Sequence, residues 1–385
     1  MHIAYVCMDA GIPVYGRKGA SVHVQGIVAA LLRAGHTVEL FAARVGDDRP
    51  TWAEAVLLHR VPVAVALDLE RRADWITDSN ATICAALAAA SPFDAVYERY
   101  SLWSFGAMEY ARDHRIPGIL EVNAPLIDEH TTHRGPLDRA GAEYVARRVF
   151  GAATDIVAVS EEVADYVRQQ PRALGKVVVE ANGFDPKRFP AHNRNASAPF
   201  TLGFLGTLKP WHGIDILATV YAQVRQRVPD ARLLIVGDGP ERESLRARLA
   251  LIGAGDDIEF AGAVSPEHVS PWLARMDVAL APYPADAPFY FSPLKVVEYM
   301  AAGVAVVASD IGQIPSLIDH DVTGLLVPAG DAPACAAACL TLHKSPDIRR
   351  ALGTAARAAA MSTRTWDAVA SRILTRATAT TGIAR

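Results

Sequence analysis

Short apolar runs alternate with amphipathic stretches along the whole chain. Residues 2–7 form an apolar run that predicts a strand, residues 22–34 predict a helix that ends at Gly35, and residues 37–42 predict the next strand. The alternation continues, with further predicted strands at 95–98, 119–122, 156–159 and 177–179 and helices at 69–90, 103–114, 137–150 and 161–169. Strands that alternate with helices of this length predict parallel βαβ units.

The pattern is interrupted once and then restarts. Residues 186–199 contain three prolines and two asparagines and few apolar residues, which predicts a linker. Beyond the linker, strands are predicted at 201–205, 233–236, 258–260, 278–281 and 305–308, a helix at 214–227, and an almost purely helical tail at 332–380. The sequence therefore predicts two Rossmann-like α/β domains, residues 1–190 and 191–361, that face a cleft with the ligand outside the carboxyl ends of the strands.

Composition and charge exclude several classes of protein. Of 385 residues, 51% are hydrophobic and 21% are charged, which is typical of a globular protein and excludes a mostly disordered chain. The net charge of −4 gives no general electrostatic case for nucleic acid, so we expect no nucleic-acid partner. The four cysteines form no C-x-x-C pair. The N-terminus has no basic flank, and we see no apolar run long enough for a membrane span, so we expect a cytoplasmic protein.

Two glycine-containing segments are candidate anion sites, and a third is more typical of a turn. Residues 16–21 lead into the first predicted helix, where a helix N-terminus could bind an anion; an ordinary turn with solvated Arg17 and Lys18 is the alternative. Residues 203–213 end a strand in glycine and continue into a basic loop, which is typical of a phosphate site. Here the alternative is a solvated Lys209 and a His212 that caps a helix. Residues 236–240 alone indicate only a turn.

The segment 289–303 combines a helix start with a buried carboxylate. Pro293 suits the first turn of a helix, whose free N–H groups near Ser292 and Leu294 could hold a polar ligand. Glu298 follows among apolar residues and therefore needs partners. Ligand hydroxyls and an ion pair with Lys295 are the two alternatives.

Taken together, these motifs resemble those of glycosyltransferase family 4, the glycosyl transferases group 1. The matching pieces are the glycine loop at Gly19 and residues 31–38, 158–160, 182–185, 236–240, 298–303 and 323–327. The resemblance implies the GT-B fold: an acceptor-binding N-terminal domain, a nucleotide-sugar-binding C-terminal domain, and a last helix, residues 362–385, that returns to the N-terminal domain. It also implies sugar transfer from a nucleotide-sugar with retention at the anomeric carbon.

The chain departs from the family pattern at three places. Glu298 matches the second of two glutamates eight positions apart, but Tyr290 stands where the first is usual. Thr207 and His212 occupy the usual arginine and lysine positions of the phosphate loop, and Asn123 replaces a histidine. The nucleotide half of the site thus matches the family better than the sugar half does.

These considerations give a set of candidate site residues. We expect Lys209, His212 and Asn123 to be catalytic. The expected donor-binding residues are Gly19, Ala20, Gly206, Thr207, Lys209, Val264, Tyr290, Phe291, Ser292, Leu294, Lys295 and Glu298. The expected acceptor-binding residues are Lys18, His23, Arg99, Tyr100 and Asn123, although a core histidine at His23 is equally open and a surface arginine is the commoner explanation for Arg99.

The expected reaction is metal-independent, because no cluster of Asp and His has metal-ligand spacing and cations and helix N-termini can carry the leaving diphosphate. We expect a UDP-sugar as donor substrate, no separate cofactor, and a saccharide, a glycolipid or a small natural product as the hydroxyl acceptor. Attack from the front face would then give retention. Asp138 and Glu143 interrupt a basic helix, so membrane contact is at most peripheral. A nucleotide-sugar epimerase and a catalytically silent nucleotide-sugar-binding subunit are the rival functions.

Overall fold

The structure is a computed structural model that describes residues 1–63, 72–133, 137–192, 198–253, 255–286 and 289–381. The chain forms two compact units. Unit 1 comprises residues 1–182, 290–292 and 366–385, and unit 2 comprises residues 183–289 and 293–365. Among the described residues, no helix is long and apolar enough to cross a membrane.

Unit 1 is an α/β unit built on a parallel sheet. Its strands are β1 (His2–Cys7), β2 (Thr37–Ala42), β3 (Leu57–Arg60), β4 (Ala95–Arg99), β5 (Gly118–Val122), β6 (Asp155–Ala158) and β7 (Val177–Val179). Its helices are α1 (Gly19–Arg33), α2 (Arg72–Ala90), α3 (Gly106–His114), α4 (Leu126–His133), α5 (Arg139–Ala152), α6 (Glu161–Arg168) and, from the end of the chain, α14 (Trp366–Thr381). The strand order β3-β2-β1-β4-β5-β6-β7 reverses direction between β1 and β4, and such a reversal is where α/β sheets bind ligands.

The last helix belongs to unit 1, as the resemblance implied. The Trp366 indole is buried against α1, and a Cβ atom at Gly26 would lie only 2.3 Å from its Nε1 atom, so this approach requires glycine. Arg33 pairs with Asp367, and Arg372 with Glu180. The contact between Trp366 and Gly26 therefore fixes α14 on unit 1, together with the two ion pairs.

Unit 2 repeats the same topology. Its strands are β8 (Thr201–Leu205), β9 (Arg232–Val236), β10 (Ile258–Gly262), β11 (Val278–Ala281), β12 (Ala305–Asp310) and β13 (Leu325–Pro328). Its helices are α7 (Ile214–Arg227), α8 (Arg242–Ala250), α9 (Val269–Leu273), α10 (Leu294–Ala302), α11 (Ile314–Leu317), α12 (Ala332–Lys344) and α13 (Pro346–Thr363). The parallel order β10-β9-β8-β11-β12-β13 places the reversal between β8 and β11. Two parallel α/β sheets confirm the predicted fold class.

The segment predicted as a linker is partly structured. Pro186–Arg188 forms a short 3-10 turn, and Phe189 is fully buried. Phe184 packs against Phe189 with ring centroids 5.7 Å apart, and its N–H donates to Arg364 O. These contacts lie within unit 2, and the compact units are divided at residues 182/183 and 365/366, whereas the sequence analysis placed the domain boundaries at 190/191 and 361/362. Residues 193–197 of the predicted linker lie outside the described residues.

Candidate functional site

In unit 2, the carboxyl ends of β8 and β9 approach each other closely at two glycines. Gly206 and Gly237 have φ angles of 134° and 139°. A Cβ atom at Gly237 would lie 2.0 Å from Gly206 O, so a side chain there would collide with the backbone. The two glycines therefore let the turns after β8 and β9 pack against each other beside the β8–β11 reversal.

Lys295 of α10 is a buried cation at this edge. Its side chain is only 7% exposed, and its Nζ atom has no hydrogen-bond partner among the described residues. The Nζ atom lies 4.2 Å from the Phe204 ring centroid and 5.3 Å from that of Tyr283, and a Cβ atom at Gly206 would be 3.2 Å from it. Burial lowers the pKa of Lys295 to about 7. A buried amine without a counterion is costly in the free protein.

The loop after β8 holds the other predicted phosphate contacts. His212 Nδ1 lies 2.5 Å from Thr207 O. Burial, together with the nearby Lys295 and Lys209 charges, lowers the pKa of His212 to about 3, so the ring is neutral at pH 7. Lys209 is half-buried, with its Nζ atom 5.4 Å from the Trp211 ring centroid. Thr207 is exposed.

Glu298 lies on α10 and has a partner that the sequence analysis missed. Its Oε1 atom accepts a hydrogen bond of 3.0 Å from Arg188, which also donates to Pro266 O. Lys295 was the expected ion-pair alternative, but the partner in the structure is Arg188, a residue of the predicted linker. Burial raises the pKa of Glu298 although Arg188 acts in the opposite direction.

Three of the predicted donor residues, Tyr290, Phe291 and Ser292, form a short segment of unit 1. Ser160 Oγ donates to Tyr290 O at 2.6 Å. Asn182 donates from its backbone to Ser292 Oγ at 3.0 Å and from its side chain to Ser292 O at 3.1 Å. Hydrogen bonds at both ends of the segment therefore fix its backbone.

Asn182 also connects this segment to a buried charge cluster. His23 Nδ1 lies 2.6 Å from Asn182 Oδ1, and its Nε2 atom lies 2.7 Å from Glu121 Oε1. Arg99 Nη1 lies 3.3 Å from the same carboxylate oxygen, and Tyr97 donates to Oε2 at 2.5 Å. Burial raises the pKa of Glu121, but these neighbours outweigh burial and lower it to about 2. His23 and Arg99 are thus brought together by a carboxylate on which the sequence analysis did not focus.

The remaining predicted residues lie at several places in the two units. Asn123 follows β5, and its Oδ1 atom is buried without a partner in the described structure. Tyr100 is buried against Phe150, with ring centroids 5.1 Å apart. Lys18, Gly19 and Ala20 form the start of α1, Val264 lies in the loop after β10, and Leu294 begins α10. Their roles stay predictions.

The described residues contain no group of three or more His, Cys, Asp or Glu side chains that could hold a metal ion. Metal independence is an expectation about the reaction and stays a prediction.

Comparison with known families covers most of the chain. Residues 17–188 match the family described as Glycosyltransferase Family 4. Residues 199–345 match the family described as Glycosyl transferases group 1. The two matches fall almost entirely within units 1 and 2, respectively.

Individual relatives agree with these matches. The GDP-mannose-dependent alpha-(1-6)-phosphatidylinositol monomannoside mannosyltransferase of Mycobacterium tuberculosis is 32% identical over 248 residues, 60% of this chain and 63% of the relative, so less than two thirds of that relative is spanned. The D-inositol 3-phosphate glycosyltransferase of Segniliparus rotundus is 25% identical over 92% of this chain and 83% of its own length. The solved sucrose-phosphate synthase of Thermosynechococcus elongatus has a similar fold, with a TM-score of 0.72 over 97% of this chain and 98% of that one at 20% identity.

Proposed function

Since this chain belongs to the glycosyltransferases of family 4 and group 1, we propose that it transfers a sugar from a nucleoside diphosphate sugar to a hydroxyl acceptor with retention of the anomeric configuration. The donor nucleotide binds unit 2, at the β8–β11 reversal. The acceptor binds unit 1.

The observation that carries this proposal is the buried, unpartnered Lys295 beside Gly206. A buried cation needs an anion close to it, and no carboxylate of the described residues supplies one. A diphosphate at this edge would supply that charge. Gly206 lacks the Cβ atom that would lie 3.2 Å from Lys295 Nζ, so its backbone leaves room beside the amine.

In the proposed reaction, Lys295 and the half-buried Lys209 stabilise the negative charge that develops on the leaving diphosphate. Thr207 and His212 stand where the family usually has arginine and lysine. Lys295 therefore supplies the larger share of the positive charge that stabilises the diphosphate. Glu298 accepts hydrogen bonds from the ribose hydroxyls. Attack from the front face sends the acceptor's proton to the departing phosphate oxygen while the bond from the anomeric carbon to that oxygen breaks, so the protein mainly positions the two reactants. No metal ion takes part.

Different observations support the proposed nucleotide of the donor and the residues proposed to select its sugar. The mannosyltransferase relative is named for GDP-mannose, which supports a GDP-sugar over the UDP-sugar that the sequence analysis expected. Tyr290, Ser292 and Asn123 are the proposed determinants of the sugar, because Tyr290 replaces a carboxylate with a phenol that can form one hydrogen bond and offers a flat face.

Calorimetric titration of GDP and UDP into wild type and Lys295→Met tests the proposal. We expect a loss of about tenfold to a hundredfold in affinity, since a hydrogen bond to a charged group is removed. The matched control is Lys344→Met, which changes an exposed lysine at the end of α12 and should leave affinity unchanged. Equal affinity of wild type and Lys295→Met would contradict the assignment.

A second assay separates the rival functions. GDP-mannose and UDP-glucose are incubated with and without a panel of hydroxyl acceptors, and the products are identified by NMR. A product whose new glycosidic bond has the same anomeric configuration as the donor supports the proposal. An epimerised donor in the absence of acceptor, or no turnover with any acceptor, contradicts it.

A further inference from the structure

Unit 1 has a cavity of about 260 Å³ at the carboxyl edge of its sheet. The residues after β1 and after β4 form part of its wall, among them Met8 and the loop Ser101–Ser104. The strand order of unit 1 reverses at this place, between β1 and β4. The equivalent place in unit 2 lies between β8 and β11, beside Lys295. We propose that this cavity binds the acceptor and that the acceptor carries a flat aromatic ring with a hydroxyl group and a carboxylate. The proposal rests on the proposed function and names its acceptor class.

The size of the cavity fits a ring system. A cavity of about 150 Å³ is enough for benzene, so 260 Å³ corresponds to about a bicyclic ring. Pockets for larger ligands usually have about 300–1,000 Å³. A chain of several sugars would therefore extend well beyond this space.

The wall is largely apolar and aromatic. Trp75 and Trp103 meet edge to face, with centroids 6.1 Å apart, and Ile83 and Leu126 add aliphatic surface. Indole rings favour a second aromatic ring in an offset or edge-on arrangement. The lining thus favours a flat apolar group.

Three polar side chains of the wall, those of Asn80, Ser101 and Ser104, already have partners in the protein. Asn80 donates to Ile76 O and Trp103 O and accepts from the N–H groups of Phe105 and Gly106, so its amide is fully used. Ser104 donates to Glu98 at 2.5 Å, and Ser101 to Arg99 O at 3.2 Å. Hydroxyls of a sugar ring that were buried against these three residues would be left without partners, which is costly.

Arg72 Nε and His130 Nδ1 are buried in the wall and have no partner among the described residues; Asp9, Ser79 and Glu129 also line the cavity. The Arg72 guanidinium lies 5.1 Å from the Trp103 ring centroid, beside the aromatic wall. A carboxylate on the ring would pair with the guanidinium, and the imidazole nitrogen could accept or donate one further hydrogen bond.

The test uses the full chain and small probes without donor. Binding of 6-hydroxy-2-naphthoate, 2-naphthol, octanoate, methyl α-mannoside and D-inositol 3-phosphate is measured by calorimetry. We expect the hydroxynaphthoate to bind about tenfold more tightly than 2-naphthol, because only the former offers a charge-assisted bond to Arg72. Octanoate has the carboxylate but no ring and should bind less tightly than the hydroxynaphthoate.

Three variants locate the binding. Ser79→Phe fills the cavity from α2 and should abolish binding of the hydroxynaphthoate. Arg72→Gln should reduce its affinity to that of 2-naphthol and leave 2-naphthol unchanged. Arg139→Gln, at an exposed arginine of α5 outside the cavity, is the control and should change neither. Melting curves verify that each variant is folded.

The outcomes separate this inference from the proposed function. Tighter binding of the mannoside or the inositol phosphate, octanoate binding equal to that of the hydroxynaphthoate, or ring binding that persists in Ser79→Phe would overturn the inference. If GDP or UDP binds wild type but no ring probe does, the acceptor class alone is wrong. If the ring probe binds as expected and neither nucleotide binds, the proposed function fails and the cavity assignment stands.

Discussion

Both units bury charge near the carboxyl ends of their sheets, but they neutralise it in different ways. In unit 1, the Glu121 carboxylate has His23, Arg99 and Tyr97 around it. In unit 2, the Lys295 amine has aromatic rings nearby and no hydrogen-bond partner in the described structure. The pKa values follow: that of Glu121 falls to about 2, which favours its charge, and that of Lys295 falls to about 7, which disfavours its charge.

The two buried charges differ in whether the protein itself supplies their partners. A carboxylate with three partners gains nothing from a further ion, and removal of one member leaves the others uncompensated. An amine without a partner weakens the free protein and is stabilised only when an anion arrives. The His23 cluster therefore connects Glu121 to Asn182 and the 290–292 segment, and Lys295 is the group proposed to bind an anionic ligand.

The largest expected effect comes from breaking the closed cluster. Glu121→Gln leaves Arg99 without its counterion and should lower the free energy of unfolding by about 3–5 kcal/mol. Urea unfolding measures this change. The control Glu143→Gln removes an exposed partner of Arg139 and should cost less than about 1 kcal/mol.

The contribution of Glu121 to the stability of the fold should depend on pH. The pKa of Glu121 is lower in the folded protein than in the unfolded chain, so its contribution is complete above the unfolded value of about 4.3 and is lost as the pH falls toward 2. The stability difference between wild type and Glu121→Gln should shrink over that range. A difference that is small at pH 7, or that does not change with acid, would show that the cluster is not a closed ion network.

The next largest effect concerns the proton on Lys295. Above pH 7 the amine of the free protein is mostly neutral, so binding of a diphosphate must take up a proton, and nucleotide affinity should fall by up to about tenfold per pH unit. His212, with a pKa near 3, stays neutral over this range, and burial raises the pKa of the Tyr283 phenol. Titration of GDP in buffers of different ionisation enthalpy measures the uptake.

Lys295→Met should remove this proton uptake. The free wild-type protein should also gain stability as the pH rises from about 7 toward 10.5, because the unfolded chain then holds the proton that the folded one has released. Binding without proton uptake in wild type would mean that Lys295 does not meet the diphosphate.

The sequence predicted the sheets better than it predicted these charges. Buried central strands such as β1 and β8 carry continuous apolar runs, so their bounds were predicted closely. The edge strand Leu57–Arg60 and the helix Leu126–His133 were missed, because the strand is mostly half-exposed or exposed and the helix has few apolar positions. The start of α3 was placed at Trp103 instead of Gly106, because Asn80 from another helix bonds its first N–H groups.

The residues of the candidate site could be predicted from the sequence, but their partners could not. Lys295 was expected to bind donor because it lies in a recognisable motif. That it is buried and unpartnered depends on Phe204, Gly206 and Tyr283, which are distant in sequence. Arg188 was hidden in an apparent linker, and Glu121 was paired by residues about 20 to 100 positions away. Such pairings arise from tertiary packing, and local patterns do not contain them.

A moderate effect is expected at Glu298, which pairs with Arg188 and yet lies on the helix of Lys295. Glu298→Gln should weaken nucleoside diphosphate binding about tenfold, because a carboxylate that accepts from two ribose hydroxyls becomes an amide with one acceptor oxygen. A 2′,3′-dideoxy nucleotide should lose affinity for wild type but lose little more for the variant.

Two results would count against this role. If the losses from Glu298→Gln and from the dideoxy analogue simply add, Glu298 does not touch the ribose. If Arg188→Met lowers the affinity as much as Glu298→Gln and the dideoxy loss is unchanged in both variants, Glu298 acts only as the partner of Arg188.

The smallest effect is expected at Lys209, and it tests whether burial sets the strength of a phosphate contact. Lys209 and Lys295 are both proposed to face the diphosphate, but Lys209 is half-buried over an indole that is 40% exposed, whereas Lys295 is 7% exposed. Water and salt screen an exposed charge and leave a buried one largely unscreened. Lys209→Ala should therefore reduce GDP affinity by only about threefold near 50 mM salt and by nothing measurable near 500 mM, while the loss from Lys295→Met should stay the same at both concentrations. Calorimetric titration of both variants and of Lys344→Met at the two salt concentrations gives the comparison. If the loss at Lys209 equals that at Lys295 and both resist salt, the phosphate lies against the loop after β8, and the buried amine is not its main partner.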